Sequence, residues 1–104
     1  MKKQDLKDLQ NEAIKRSGLV VRSIMELPAF SQKSFYGKAL EIVADDGIYL
    51  MSYSTIVCSI SFTGNVKRLW HGYSVTTMKH INDFLFNNGC DTINKKCWCS
   101  MSVH

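Results

Sequence analysis

Apolar residues near the amino terminus recur every three or four positions among charged and amide side chains. They are Leu6, Leu9, Ala13 and Ile14. This spacing is typical of an amphipathic helix with one apolar face. We expect the helix to occupy residues 1–17 and to end at Ser17-Gly18, where glycine suits a left-handed C-terminal cap. The next stretch, Leu19 to Ile24, fits a short extended segment, although its pattern is ambiguous.

The middle of the chain carries four runs that are typical of β-strands. They are Ser34–Val43, Ile48–Tyr53, Thr55–Phe62 and Val66–Trp70. Apolar and polar residues alternate most clearly in the third run, as in a strand with one buried face. Two turn sequences, Asp45-Asp46-Gly47 and Thr63-Gly64-Asn65, separate the runs. Short connections between successive strands predict an antiparallel four-stranded meander.

A helical pattern returns after the strands. Ser74 occupies an N-cap position, and the apolar residues after it are again three or four apart. We therefore predict a helix over residues 74–87, followed by a terminal turn or short helix that folds Trp98 onto the body. The predicted fold class is α+β: a four-stranded antiparallel meander packed against the N-terminal helix and helix 74–87, with the helices gathered on one face.

Length and composition fit one folded domain. The 104 residues are 45% hydrophobic and 21% charged, which excludes a disordered chain. We expect a single domain over residues 1–104, with 1–17 as the N-terminal helix and 33–104 as the sheet-plus-helix body. No apolar run approaches the roughly 18 residues of a membrane-spanning helix, and no signal-peptide pattern opens the chain. A cytoplasmic protein without a membrane partner is therefore expected.

The cysteines suggest one metal site. Cys90, Cys97, Cys99 and His104 supply four zinc-type ligands within 15 residues, the number that a closed tetrahedral site needs. Their central Cys-x-Cys spacing differs from the two-residue gap that is usual in zinc knuckles, and chain ends tend to fray. Unligated thiols are therefore favoured over zinc, and no other cofactor is predicted.

A catalytic set is not predicted. Ser74, His80 and Asp83 carry the side chains of a nucleophilic triad. On one helix, however, Ser74 and His80 would be roughly 9 Å apart along the axis and about 120° apart around it. We expect Ser74 to cap its helix and the protein not to be an enzyme.

Aromatic, hydroxyl and cationic side chains are concentrated in the second half of the chain. The predicted partner-binding residues are Tyr53, Lys67, Arg68, Trp70, Tyr73, Thr76, Lys79 and His80. Lysine and arginine exceed the acidic residues by four, a mild excess that permits nucleic-acid binding without requiring it. The aromatic residues could pack in the core, which is favoured, stack on single-stranded nucleic acid or contact a protein.

Three segments resemble a family of small, largely uncharacterised proteins from phages and mobile elements of Gram-positive bacteria. They are Ser34–Ala39, Leu50–Val57 and Leu69–Phe84, and the resemblance covers roughly residues 33–103. Asn94–Trp98 is similar to that family's closing Ser-Lys-Lys-x-Trp stretch, although Cys97 and Cys99 replace expected polar residues. Zinc is therefore not expected as a family trait.

The resemblance brings no enzymatic activity, but it does imply a biological setting. We expect a non-catalytic phage or mobile-element protein that inhibits a host protein or nucleoprotein complex, and an anti-CRISPR inhibitor of a CRISPR effector nuclease is one such role. The alternative is a small nucleic-acid-binding protein that uses a basic and aromatic sheet face. The oligomeric state is left open.

Overall fold

A five-stranded sheet and three helices make up the computed structural model, which describes residues 3–27 and 38–104. In chain order the elements are α1 (Lys3–Ser17), β1 (Val21–Glu26), β2 (Ala39–Ala44), β3 (Gly47–Ser52), β4 (Thr55–Ser61), β5 (Val66–Arg68), α2 (Val75–Asn87) and α3 (Lys95–Ser100). The predicted α+β class is confirmed. Ser34 to Gly37, the predicted start of the first strand, lies outside the described residues.

The sheet is an antiparallel meander in the order β1-β2-β3-β4-β5. The predicted count of four strands is wrong because the ambiguous segment after α1 forms β1. Nearly every position of β1 is exposed, so the strand shows no alternation of buried and exposed residues. Its hydrogen bonds to β2, and not an apolar face, place it in the sheet.

The predicted hairpins are confirmed, with small shifts at their ends. Asp45 and Asp46 form the loop between β2 and β3, and Gly47 is the first residue of β3. A Cβ atom at Gly47 would be 2.6 Å from the Ile60 carbonyl oxygen, so the close approach of β4 requires glycine there. Strand β5 ends at Arg68, before the predicted Trp70, because the next two N–H groups both donate to the Val57 carbonyl.

One face of the sheet carries the main core together with α2 and α3. Its members include Leu50, Cys58 and Ile60 from the sheet, Met78, Ile81, Phe84 and Leu85 from α2, and Trp98 from α3. Trp98 is fully buried, so the predicted packing of the terminal helix is confirmed. Ser74 caps α2 as predicted, since its hydroxyl accepts the Thr77 N–H at 3.0 Å.

The opposite face of the sheet is buried as well. Ile42 and Met51 follow Glu41 and Leu50 directly, so their side chains point away from α2, yet neither is exposed to solvent. Helix α1 packs against β4.

The buried side of α1 also differs from the predicted apolar stripe. Gln10 is buried, whereas Leu9 is 42% exposed. The Gln10 side-chain amide donates to the Tyr53 carbonyl at 2.8 Å, and this contact ties α1 to the β3–β4 hairpin. On α1, therefore, Gln10 is buried although the apolar periodicity predicted burial of Leu9. No described helix has both the length and the apolar character needed to cross a bilayer.

Candidate functional site

The tip of the β3–β4 hairpin presents Tyr53. Ser52 and Thr55 pair across the hairpin, so Tyr53 and Ser54 form a two-residue loop. Tyr53 has φ 55°, the left-handed region in which this first loop position usually carries glycine. Its N–H donates to the Lys38 carbonyl at 2.6 Å, and its carbonyl accepts the bond from Gln10. Both hydrogen bonds hold the backbone while 40% of the residue stays exposed.

His80 of α2 lies beneath the Tyr53 ring. The two ring centroids are 5.9 Å apart and the planes are inclined at 47°. His80 is fully buried, and its Nδ1 lies 2.8 Å from the Ser52 hydroxyl oxygen. That oxygen is also 3.0 Å from the Thr77 hydroxyl. The imidazole thus belongs to a buried polar network between β3 and α2, and the prediction that it touches a partner does not fit this position.

Burial sets the charge state of His80. Loss of hydration lowers the pKa of this imidazole to about 4, Asp83 opposes the shift, and Lys38 adds to it. The ring is therefore neutral near pH 7, when one nitrogen donates and the other accepts. The neutral His80 ring and its Ser52 hydroxyl partner therefore stabilise the packing of the β3–β4 hairpin against α2.

Five residues near this network form one surface, which we name the α2-start surface. They are Lys38, Tyr53, Val75, Thr76 and Lys79. Thr76 lies one helical turn before His80, and Lys79 follows Val75 by one turn, so these side chains are neighbours on α2. Lys38 joins them because its carbonyl bonds Tyr53 and its charge acts on His80. Val75 and Tyr53 are exposed apolar groups of this set.

Arg68 has a structural position, contrary to the prediction that it contacts a partner. It is 5% exposed, and its guanidinium group donates to a ring of backbone carbonyls. The acceptors are Trp70 (2.9 Å), Trp98 (2.8 Å), Met101 (3.2 Å), His71 (2.8 Å) and Gly72 (3.4 Å). The Arg68 Cζ atom also lies 4.7 Å from the centroid of the Trp98 ring. Five acceptors and a stacked ring hold this cation inside the protein.

The other predicted binding residues do not join the α2-start surface. Trp70 and Tyr73 are partly buried against the core, and the Lys95 ammonium lies 4.9 Å from the Tyr73 ring centroid. Lys67 is exposed, but it precedes Arg68 in β5 and so points to the opposite face of the sheet. Because α2 and α3 cover the sheet face that carries Arg68, Lys67 and Arg68 do not share one exposed face of the sheet.

The predicted zinc ligands are not brought together. Cys97 and Cys99 are exposed on α3, where residues two apart point about 200° away from each other. Cys90 is partly buried, with its sulfur 3.9 Å from the Asn88 carbonyl oxygen, and His104 is exposed. Within 3–27 and 38–104, no three His, Cys, Asp or Glu side chains are placed to hold a metal ion. The helical conformation of the Cys-x-Cys segment turns the two thiols away from each other.

The hydroxyl that meets His80 comes from a residue that the sequence did not suggest. Ser74 caps α2, whereas Ser52 bonds the imidazole from β3. Ser52, His80 and Asp83 are all buried. Ser52 and His80 lie 28 positions apart, and no local pattern could have shown their contact.

Comparison with known proteins gives one match. The model of a protein family matches residues 25–100, from within β1 to the end of α3, and its description is family of unknown function (DUF8033). No curated protein and no solved structure matches the chain. The matched range contains the whole α2-start surface, whereas α1 lies outside it.

Proposed function

This chain belongs to the DUF8033 family, whose function is unknown, and we propose that it is a non-catalytic binding protein that docks on an acidic protein surface. The α2-start surface makes the contact. Tyr53 carries the proposal: a half-exposed aromatic side chain held at the hairpin tip in a left-handed backbone conformation.

The conformation of Tyr53 has an energetic cost that the fold does not require. A bulky side chain at positive φ costs on the order of 1 kcal/mol relative to glycine, and such strain is concentrated at functional sites. The β3–β4 turn would form more readily with glycine or asparagine at this position. An exposed tyrosine in a rigid hairpin is instead suited to binding, because aromatic residues are enriched among those that dominate interface energetics.

Charge and helix geometry support an acidic partner. Lys38 bonds Tyr53 through its backbone carbonyl, Lys79 lies one turn after Val75, and the first turn of α2 contains no acidic residue. The positive end of the α2 dipole lies at this turn, and the chain carries a net charge of +4. A surface with a ring, an aliphatic side chain and two ammonium groups is complementary to an apolar patch bordered by carboxylates.

The sequence resemblance to phage and mobile-element proteins supports a host complex as the partner. In that setting we propose that docking inhibits the host protein or nucleoprotein complex, specifically as an anti-CRISPR inhibitor of a CRISPR effector nuclease. The nucleic-acid alternative has less support, because Arg68 is buried and Trp70 and Tyr73 are partly buried against the core.

A DNA-cleavage assay with purified CRISPR effector nucleases of Gram-positive bacteria tests the proposal. The wild-type protein should inhibit at least one nuclease when present at a small molar excess. Tyr53→Asn should weaken inhibition about tenfold or more, since asparagine tolerates positive φ and only the ring is lost. Phe62→Asn is the matched control: Phe62 is an exposed aromatic residue in the β4–β5 connection, outside the α2-start surface, and its loss should leave inhibition unchanged.

Two outcomes would reject the proposal. Either no effector nuclease is inhibited, or Tyr53→Asn inhibits as well as the wild-type protein. Tight binding of the free protein to a single-stranded oligonucleotide, weakening steeply with salt, would favour the nucleic-acid alternative.

A further inference from the structure

The two edges of the sheet differ. At the β5 edge the carboxyl-terminal segment forms a parallel bridge between Arg68 and Val103, and the His104 N–H donates to the Arg68 carbonyl at 2.8 Å. At the other edge, β1 pairs with β2 on one side, and no strand of the described chain pairs with its outer side. Ile24 is 45% exposed and Met25 is 51% exposed in this strand. An exposed apolar edge strand is a template for pairing with another chain.

We propose that β1 pairs antiparallel with β1 of a second copy of this chain, around a two-fold axis at Ile24. The two sheets then form one continuous sheet across the dimer. Three features of β1 support a second copy of the chain as its partner. They are the direction of its backbone groups, the order of its charges and the exposure of its apolar side chains.

The backbone of β1 offers hydrogen bonds in the required direction. The Leu27 N–H donates to the Ala39 carbonyl at 3.0 Å, toward β2. Backbone groups alternate along an antiparallel strand, so those of Ile24 and Glu26 point away from β2. With the axis at Ile24, each Ile24 N–H meets the Ile24 carbonyl of the other copy. This central pair provides two hydrogen bonds and fixes the start of the ladder.

The charges of β1 select this register. In an antiparallel pairing centred on Ile24, Arg22 of one copy lies opposite Glu26 of the other, and the pair occurs twice. Centring the axis on Ser23 would set Arg22 opposite Ile24, and centring it on Met25 would set Ile24 opposite Glu26. Only the Ile24 register matches opposite charges, a cross-strand pairing that contributes roughly 0.2–1 kcal/mol for each pair.

The amino-terminal end of β1 is irregular at Arg22, which has no regular partner in β2. A register shift between Val21 and Ser23 leaves Ile24 to Glu26 regular. The described ion pair of Arg22 joins its Nε to Asp45, and a guanidinium group carries further N–H donors on its two Nη atoms. Arg22 can therefore hold Asp45 and reach Glu26 of the second copy together. The family match begins at Met25, so the proposal concerns this chain and not the family.

Sedimentation equilibrium over the micromolar range tests the proposal. The wild-type protein should be a dimer. Glu26→Arg places two arginines opposite each other at both ends of the interface and should raise the dimer dissociation constant about tenfold or more. Arg22→Glu should act likewise through paired glutamates. An equimolar mixture of the two variants restores opposite charges at both ends, so it should form a heterodimer.

Asp91→Arg is the matched control, because Asp91 is exposed in the α2–α3 connection and its reversal changes the net charge by the same amount as Glu26→Arg. This variant should dimerise like the wild-type protein. Far-ultraviolet circular dichroism checks that each variant is folded. A monomeric wild-type protein across the whole range, a dimer that Glu26→Arg leaves intact, or a mixture that stays monomeric would each overturn the proposal.

Discussion

Burial of neutral His80 predicts that the protein loses stability when it is acidified. In the unfolded chain this imidazole titrates near 6.5, whereas in the folded protein its pKa is about 4. Between these values the unfolded chain binds a proton that the folded protein does not, so acidification favours unfolding. From pH 7 to pH 5 these two pKa values give a loss of about 2 kcal/mol. For a domain of this size, the melting temperature should fall on the order of 10 °C.

Urea denaturation at pH 7, 6 and 5, followed by the fluorescence of buried Trp98, measures this loss. His80→Asn is the diagnostic variant, because its side-chain amide can replace Nδ1 toward Ser52 and cannot titrate. This variant should be less stable at pH 7, yet its free energy of unfolding should change little from pH 7 to pH 5. His71→Asn is the matched control: His71 is exposed, so the pH dependence should remain that of the wild-type protein.

Two results would refute the reasoning about His80. One is a wild-type stability that does not change from pH 7 to pH 5, and the other is a His80→Asn variant that keeps the full pH dependence. If the variant does not fold, an NMR titration of the wild-type protein decides the matter. The His80 ring signals should then show a neutral imidazole at pH 5, and a protonated ring at that pH would contradict the assigned environment.

Three further substitutions test the packing of α2, α3 and the loop between β5 and α2. Arg68→Lys should destabilise the protein by about 3 kcal/mol in urea melts, because lysine keeps a buried charge but loses the guanidinium fork. Full retention of stability would show that the hydrogen bonds from Arg68 to the five backbone carbonyls do not stabilise the fold. Ser74→Ala should cost about 1 kcal/mol through loss of the N-cap, and Ser74→Asp should restore most of it. Gly72→Ala would place a Cβ atom 2.4 Å from a Trp70 ring carbon. It should shift the near-ultraviolet circular dichroism of Trp70 and cost about 1–3 kcal/mol, and an unchanged spectrum would show that the contact is not tight.

Local spacing was sufficient for the elements whose hydrogen bonds join near neighbours. Helix α2 was predictable from Ser74 and a helical repeat, because a helix bonds residues four apart and its N-cap bonds the third residue on. The β3–β4 hairpin was predictable because its loop contains only two residues. Strand β1 was not, since a strand exposed on both faces has no apolar alternation to detect.

The candidate site also contains some residues that the sequence could identify and others that it could not. Its exposed or half-buried members Tyr53, Thr76 and Lys79 could be nominated from residue type and position, because aromatic and cationic side chains in a turn and a first helical turn often reach solvent. The same reasoning did not anticipate that Arg68 is buried. Residue chemistry alone does not say whether a cation meets a partner or the protein's own carbonyls.

The sequence by itself determined the α+β class, the start of α2, the hairpins and the membership of the DUF8033 family. Only the tertiary structure decided that His80 meets Ser52 across 28 positions and that Arg68 reaches the Trp98 carbonyl across 30. The physical reason is the range of the interactions. Backbone bonding within a helix or hairpin depends on residues a few positions apart, whereas burial and side-chain pairing depend on which faces the completed sheet and helices bring together.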